Sequence, residues 1–309
     1  MQRLNRFTGW GVAVAVVAFA VAVGGLTGAR PAQGYEGSRH QELTFLAARY
    51  FNACIDAGGL NAKPLTPLQV RYIAKTNRRQ AQGNFFGRLF RWDYYDPHEQ
   101  STPSLLWLVD TRFHRHFDEV VRRVAEPRSQ AAFFSDLGRL VNYVQDVTSP
   151  AQTVPVYTGR FWRFSLGDRF NGFPIDSDAV HGRLDDACAE VRSLPSSYDA
   201  ILRQTAAMTL AAIERPLDGM PVSWQAFWRP DPDPGDFGDY GAAGNNFGKS
   251  VQFRCGDKDA RQRCVLLDND PLYRAFALDR HRDAVIATMR VLLLAQQRVA
   301  VDGLAPGGH

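Results

Sequence analysis

The sequence has few cysteines and none of the motifs that mark the common nucleotide-binding enzymes or serine hydrolases. It contains no Gly-x-Ser-x-Gly elbow, no phosphate-binding loop and no dinucleotide-binding fingerprint. Its four cysteines never occur as Cys-x-x-Cys, so a zinc site made of cysteines is not expected. Candidate chemistry therefore has to be sought among the histidines, carboxylates and side-chain amides.

Long apolar runs are also missing, apart from one at the N-terminus. That run extends from Trp10 to Leu26 behind two arginines, which suits a signal-peptide core and is short for a membrane span. Pro31 follows, and Ala32-Gln33-Gly34 puts small residues at the -3 and -1 positions of a cleavage site. We predict that residues 1–34 are a cleaved signal peptide and that the mature chain begins at Tyr35; an uncleaved anchor is the alternative. The protein is then periplasmic or secreted, with no membrane span after cleavage.

A strong excess of charge of one sign is absent from the predicted mature chain. The whole sequence has 36 Lys and Arg against 32 Asp and Glu, and the leader holds three of the arginines and no acid. The mature chain is therefore nearly neutral. It lacks the excess of positive charge that is typical of proteins that bind duplex nucleic acid.

The four cysteines all lie in the predicted mature chain. An even number of cysteines in an oxidising compartment predicts two disulfides, for which three pairings are possible. We favour Cys255 with Cys264, because closing a short loop costs least entropy, and this pairing leaves Cys54 with Cys188.

Helical periodicity dominates the chain, and alternating apolar and polar residues are scarce. We therefore predict an all-α, single multi-helix domain over residues 35–302, followed by a disordered tail at 303–309. The predicted helices are His40–Asp56, Pro64–Arg79, Pro103–Ala125, Gln130–Val147, Asp178–Val191, Ser197–Glu214 and Leu278–Val301.

Two long irregular regions interrupt these helices. Ser149 to Asp178 is rich in aromatic residues and glycine, so we predict an ordered loop. Arg229 to Gly248 is rich in Pro, Asp and Gly, so we predict a mobile surface excursion.

The most informative stretch runs from Leu137 to Gln152. Asn142 and Asp146 are four residues apart on a predicted helix and so lie on one face, while Pro150 ends the helix just before Gln152. Three polar side chains thus meet at one end of an apolar helix. Composition alone permits a plainer interpretation, a helix end with its polar residues near solvent.

This stretch is similar to the metal-binding helix of the zinc-dependent phospholipase C and single-strand-specific nuclease family. That family has Leu-Gly, then His-x-x-x-Asp, a Pro, and a second His six residues after the Asp. The same frame here is Leu137-Gly138, Asn142, Asp146, Pro150 and Gln152.

Three further segments resemble the family in the family's order. Trp92–Pro97 resembles its His-Phe-Tyr-Asp-Pro, and His40 resembles the His of its opening helix. Tyr35 lies five residues before His40, as does the family's metal-binding N-terminal Trp. A weaker match, Gly167–Asn171, stands in place of the family's late His and Glu. The resemblance implies the fold of the zinc-dependent phospholipases C.

Several ligand positions depart from the family. Asn142 and Gln152 replace histidines, Asp93 replaces the His before Tyr-Asp-Pro, and Asn171 replaces the late acid. The region from Asn77 to Asn84, where the family has an early Asp, contains no acid. Amide oxygen is a poor zinc ligand, so fewer zinc ions than the family's three are expected.

The resemblance implies the following site residues. The first metal site keeps Tyr35, through its free amine, with His40 and Asp146, and the second has the oxygen-only trio Asp93, Asn142 and Asp146. The third needs two His and an acid, which Gln152 and Asn171 at those positions do not supply. Asp93 and Asp146 are the candidate catalytic residues. Two alternatives stay open, a harder ion such as Ca²⁺ or Mg²⁺ in the oxygen-rich set, and amides that bond each other in the space of lost ions.

Two functions are compatible with these residues. The first is a metal-dependent phosphodiesterase with weak or altered activity towards phospholipid or single-stranded nucleic acid. The second is a catalytically inactive homologue that binds a phospholipid headgroup, a nucleotide or a protein partner. The sequence gives no indication of oligomeric state.

Overall fold

A computed structural model of the protein describes residues 35–82, 94–95, 97, 113–154, 156, 167–193, 195–232, 238–256 and 261–301. The predicted signal peptide, the tail at 303–309 and the candidate residue Asp93 lie outside these ranges. Within these described ranges, no helix is long and apolar enough to cross a membrane.

The described chain is mostly helical, which confirms the predicted all-α class at the coarse level. The helices are α1 (Gly37–Asp56), α2 (Pro67–Ala81), α3 (Phe113–Ala125), α4 (Gln130–Asp146), α5 (Pro150–Thr153), α6 (Ser177–His181), α7 (Ala187–Arg192), α8 (Tyr198–Glu214) and α9 (Pro271–Val301), with 3₁₀ turns at Arg169–Gly172 and Trp224–Ala226.

Local capping explains where several of these helices begin. Thr66 and Gln69 form a reciprocal capping box ahead of α2, and Pro67 occupies its first turn. The Ser129 and Ser197 hydroxyls accept hydrogen bonds from backbone amides in the first turns of α4 and α8.

The single helix predicted over Asp178–Val191 is wrong, because the chain forms the two short helices α6 and α7 there. Gly182 follows the last residue of α6, and glycine is a poor residue for continuing a helix. The chain then turns until Asp186, which precedes α7.

Two small antiparallel hairpins accompany the helices. Strand β1 (Trp228–Arg229) pairs with β2 (Asp239–Tyr240), and β3 (Val251–Arg254) pairs with β4 (Arg263–Leu266). Strands of two to four residues are too short to produce the alternating pattern by which strands are recognised in a sequence.

The predicted surface excursion over Arg229–Gly248 is wrong for residues 238–248. Phe247 is 3% exposed, and its ring contacts the rings of Phe170, Trp228 and Tyr273. Burial of a phenylalanine stabilises by about 2 kcal/mol, so this segment belongs to the core in spite of its glycines.

Both predicted disulfides are present. Cys54 of α1 is bonded to Cys188 of α7, across 134 residues of sequence. Cys255 and Cys264 close the β3–β4 hairpin. Two disulfides fit the oxidising, extracellular environment that the sequence analysis predicts.

Helix α4 lies at the centre of the fold. Every residue from Leu140 to Asp146 is buried, and α1, α2, α3, α8 and α9 all pack against this helix. A helix that is buried on all sides places its polar residues inside the protein, where each of them needs a partner. The interpretation of Asn142, Asp146 and Gln152 as residues near solvent is therefore wrong, since they are 3%, 7% and 5% exposed.

Gly138 allows α2 and α4 to approach each other closely. A methyl group on Gly138 would come within 2.1 Å of Thr76 Oγ1 and 2.4 Å of the Ile73 carbonyl oxygen. Asn77 follows Thr76 along the chain, and Asn142 lies one helical turn after Gly138. The close approach thus brings these two amides together.

We expect Gly138→Ala to lower the free energy of unfolding by about 3 kcal/mol, because overpacking moves two helix backbones apart. The measurement is urea unfolding followed by circular dichroism. Gly182→Ala is the control, since a methyl group there comes no closer than 3.7 Å to another atom. Equal stability of the two variants would contradict the close approach.

Candidate functional site

A cluster of buried polar side chains lies where α1, α2, α4 and α9 meet. Its members share burial and mutual contact inside a largely apolar core: His40, Thr44, Asn77, Asn142, Gln145, Asp146 and Thr288. Such groups stay inside a protein only when they satisfy each other or bind a ligand.

The hydrogen bonds of the cluster determine which way its amides point. Thr44 Oγ1 donates to the carbonyl of His40 at 2.7 Å, so it accepts from Asn77 Nδ2 at 2.8 Å. Asn77 Nδ2 also lies 2.8 Å from Gln145, which must therefore present Oε1 there. The other end of the Gln145 amide donates to Thr288 Oγ1 at 3.1 Å, and this bond agrees with the same orientation.

This orientation fixes the tautomer of neutral His40. Its Nδ1 lies 2.7 Å from Gln145 Oε1, which only accepts, so Nδ1 carries the proton. Nε2 is left with a lone pair. A histidine whose Nδ1–H is held by a second residue while Nε2 keeps its lone pair has the arrangement typical of a metal ligand.

The Nε2 lone pair lies beside a carboxylate. Asp146 Oδ1 lies 3.1 Å from His40 Nε2, yet it has no hydrogen-bond partner among the described residues. A lone pair facing a carboxylate oxygen is repulsive unless a proton or a metal ion lies between them. The pair therefore has donors that a shared proton or a shared cation would satisfy.

Asn142 touches the same place from α4. Its Nδ2 donates to the lone pair of His40 Nε2 at 3.2 Å and to Asn77 Oδ1 at 3.1 Å. In this arrangement Asn142 presents hydrogens rather than its oxygen to the pair. It also ties α4 to α2 beside the pair, and its assignment as a metal ligand stays a prediction.

Tyr35 packs directly against this centre. It is fully buried, its ring meets the ring of His40 edge to face at 5.8 Å, and its hydroxyl donates to Thr148 Oγ1 at 3.1 Å. Burial raises the pKa of Tyr35 far above its usual value, so the phenol stays protonated. The predicted new N-terminus thus lies beside His40; residue 34 is outside the described ranges, and a free amine at Tyr35 stays a prediction.

The remaining candidates lie on neighbouring segments. Gln152 is buried on α5, where its backbone carbonyl accepts a hydrogen bond from the backbone N–H of Tyr95 at 3.1 Å. Asn171 Oδ1 accepts from the Ser149 hydroxyl at 2.6 Å. The candidate Asp93 falls outside the described residues. The assignment of these three residues as ligands stays a prediction.

Sequence reasoning missed Asn77 and Gln145 as members of the cluster. Asn77 is the polar exception on the buried stripe of α2, which otherwise holds Ile73, Ala74 and Ala81. An amide is neither a carboxylate nor an imidazole and so was not considered as a site residue. Its position on an apolar stripe is the signal in the sequence that could have identified it.

Asp168, in the late motif Gly167–Asn171, forms a separate polar centre. Its Oδ2 accepts from Trp228 Nε1 at 2.8 Å and from the Tyr240 hydroxyl at 2.9 Å, and Oδ1 accepts from the Phe170 amide. Burial raises the pKa of Asp168, and these hydrogen bonds oppose the shift. The carboxyl group therefore joins the 3₁₀ turn at Arg169–Gly172 to the β1–β2 hairpin.

The donor set at His40 and Asp146 fits one cation in part. It supplies one imidazole nitrogen and one carboxylate, whereas a zinc site needs at least three protein ligands. Within the described ranges, no group of three or more His, Cys, Asp or Glu side chains could hold an ion. The further ligands that the resemblance implies are the Tyr35 amine and Asp93.

No family model, curated protein or solved structure matches this chain.

Proposed function

We propose that the protein is an exported member of the phospholipase C and nuclease type, with one divalent cation, preferentially zinc, held by His40 and Asp146. The proposed activity is a weak or altered hydrolysis of phosphodiesters. The observation that carries this proposal is the 3.1 Å contact between His40 Nε2 and Asp146 Oδ1, in which the oxygen has no hydrogen-bond partner among the described residues.

The amide network supports one ion rather than three. Asn77, Asn142 and Gln145 bond to one another and to His40 in the space beside the pair. Amides that bond each other would lose these hydrogen bonds on binding a cation, and zinc prefers imidazole and carboxylate ligands to amides. A single ion cannot clamp both the attacking and the leaving oxygen of a phosphodiester, so slow turnover is expected.

The chain's own residues position this chemistry. Gln145 holds His40 with Nε2 towards Asp146, and Tyr35 and the helix core keep bulk water from the imidazole. A bound divalent ion supplies Lewis acidity and lowers the pKa of water. The Asp146 side chain, which is 10% exposed, is the group beside this ion that could orient a water molecule.

Metal content and turnover together test the proposal. The purified exported protein is expected to hold about one equivalent of zinc and to hydrolyse bis(p-nitrophenyl) phosphate slowly, as the donor set predicts. His40→Ala is expected to lose both properties, whereas His181→Ala, an exposed histidine, keeps both. Zinc below about a tenth of an equivalent without turnover would instead favour the inactive binding protein, which a closed amide network also suits.

The role of Gln145 gives a separate prediction. Replacing Gln145 with Leu removes the acceptor that holds His40 Nδ1–H, so we expect the zinc affinity to fall by about 10- to 100-fold. Gln145→Glu keeps an acceptor and is expected to retain most of the affinity. Zinc titration by calorimetry measures both variants, and thermal melts report their folding. Equal affinities in the two variants would show that Gln145 does not position His40.

A further inference from the structure

The outer side of α1 and α2 carries a cationic groove of about 380 Å³. We call it the α1–α2 groove; its lining residues are Gln41, Phe45, Arg71, Ala74, Lys75, Arg78, Arg79 and Gln82. Four of these residues are cations and none is an acid. The groove is thus strongly basic in a chain that is otherwise nearly neutral after the leader.

The cations of the groove are not neutralised by the described part of the protein. Arg71, Lys75 and Arg79 are exposed and form no ion pair with any described residue. Among the described residues, the Arg78 guanidinium forms a hydrogen bond to the neutral Gln41, at 3.4 Å, and no ion pair. Helix α2 itself contains no acid, so like charges accumulate within three turns of helix and repel one another. An anion bound in the groove would relieve this repulsion.

Two large apolar side chains are exposed on the same surface. Phe45, which lines the groove, is 43% exposed, and Leu68 is 59% exposed. Leu68 precedes Arg71 and Lys75 by three and seven residues, so all three lie along one face of α2. The face therefore combines unpaired cations with apolar side chains that the fold leaves in water.

We propose that the α1–α2 groove docks the protein on an anionic phospholipid surface. The cations bind headgroup phosphates, and Phe45 and Leu68 enter the boundary between headgroups and acyl chains. A single-stranded nucleic acid fits less well, because it needs several aromatic platforms for successive bases and the groove offers Phe45 alone.

The groove and the buried polar centre are built on the same two helices. His40 and Gln41 are neighbours on α1, and Asn77 and Arg78 are neighbours on α2, with one member of each pair facing each site. Docking through the groove needs no cation at His40, so the inference goes beyond the proposed function and can fail independently of it.

Vesicle sedimentation in EDTA tests the inference on the purified exported protein. We expect binding to vesicles of phosphatidylcholine with phosphatidylglycerol, weakening with salt, and little binding to phosphatidylcholine alone. Lys75→Glu with Arg78→Glu is expected to lower the affinity at least about tenfold, since each basic residue near such a surface contributes measurably. Phe45→Ser is expected to weaken binding and to leave its salt dependence unchanged, because this substitution removes no charge.

Arg122→Glu with Arg128→Glu is the matched control, because it makes the same change of charge at exposed positions outside the groove. Circular dichroism melts establish that each variant is folded. Absence of binding to the anionic vesicles, or an equal loss in the control, would overturn the inference. Tighter binding of a single-stranded oligonucleotide, abolished by the groove variant, would assign the groove to nucleic acid and overturn it as well.

Discussion

Replacing Cys54 and Cys188 together with alanine is expected to lower the free energy of unfolding by about 5 kcal/mol. The bond joins α1 to α7 across 134 residues, and without it the unfolded chain regains the entropy of a very long loop. A loss of this size approaches the whole stability of an ordinary domain. Chemical unfolding in guanidinium chloride under non-reducing conditions measures it.

The hairpin disulfide provides the control. Cys255 and Cys264 are nine residues apart, so Cys255→Ala with Cys264→Ala is expected to cost only about 3 kcal/mol. Equal losses in the two double variants would mean that loop entropy does not govern the contribution of these bonds.

Acid is expected to destabilise the protein through His281. This residue of α9 is 1% exposed and contacts the rings of Tyr35 and Phe170. Burial, with a smaller contribution from Arg39, lowers the pKa of His281 to about 3. The unfolded chain binds this proton below about pH 6.5 and the folded chain does not, so stability falls as the pH decreases from there towards 3.

The expected loss from this histidine is about 3 kcal/mol between about pH 7 and about pH 4. His281→Phe removes the titrating group and keeps a ring in the core, so its stability is expected to depend less on pH by that amount. Urea unfolding of both proteins at several pH values measures the difference. The same pH dependence in both would show that His281 is protonated in the folded state or does not titrate in this range.

Much of the fold could be predicted from the sequence because the buried residues of an amphipathic helix recur every three or four positions. The stripes on α1, α3 and α8 follow the helical repeat, and the cysteine spacing favoured the disulfides that are present. The hairpins could not be predicted, because strands of two to four residues are too short to show alternating apolar and polar residues. The segment 238–248 was predicted wrongly, because glycine and aspartate suggested a surface loop and the burial of Phe247 outweighed them.

The site could be predicted only in part. The resemblance indicated His40, Asn142 and Asp146, which the fold does bring together. Asn77 and Gln145 were not predicted, because their contribution comes from contacts between residues distant in sequence. Gln145 bonds to Asn77 across 68 residues and to His40 across 105 residues. Gly138 supplies the physical reason for the Leu-Gly pair in the motif, since only hydrogen fits between α4 and α2 at that point.

We propose that His40 and Asp146 share one cation. The most direct measurement is X-ray diffraction from crystals of the purified exported protein grown with zinc, recorded on both sides of the zinc absorption edge. We predict a single anomalous peak within bonding distance of both His40 Nε2 and Asp146 Oδ1. A map without a peak at that contact, or with three peaks, would contradict the claim.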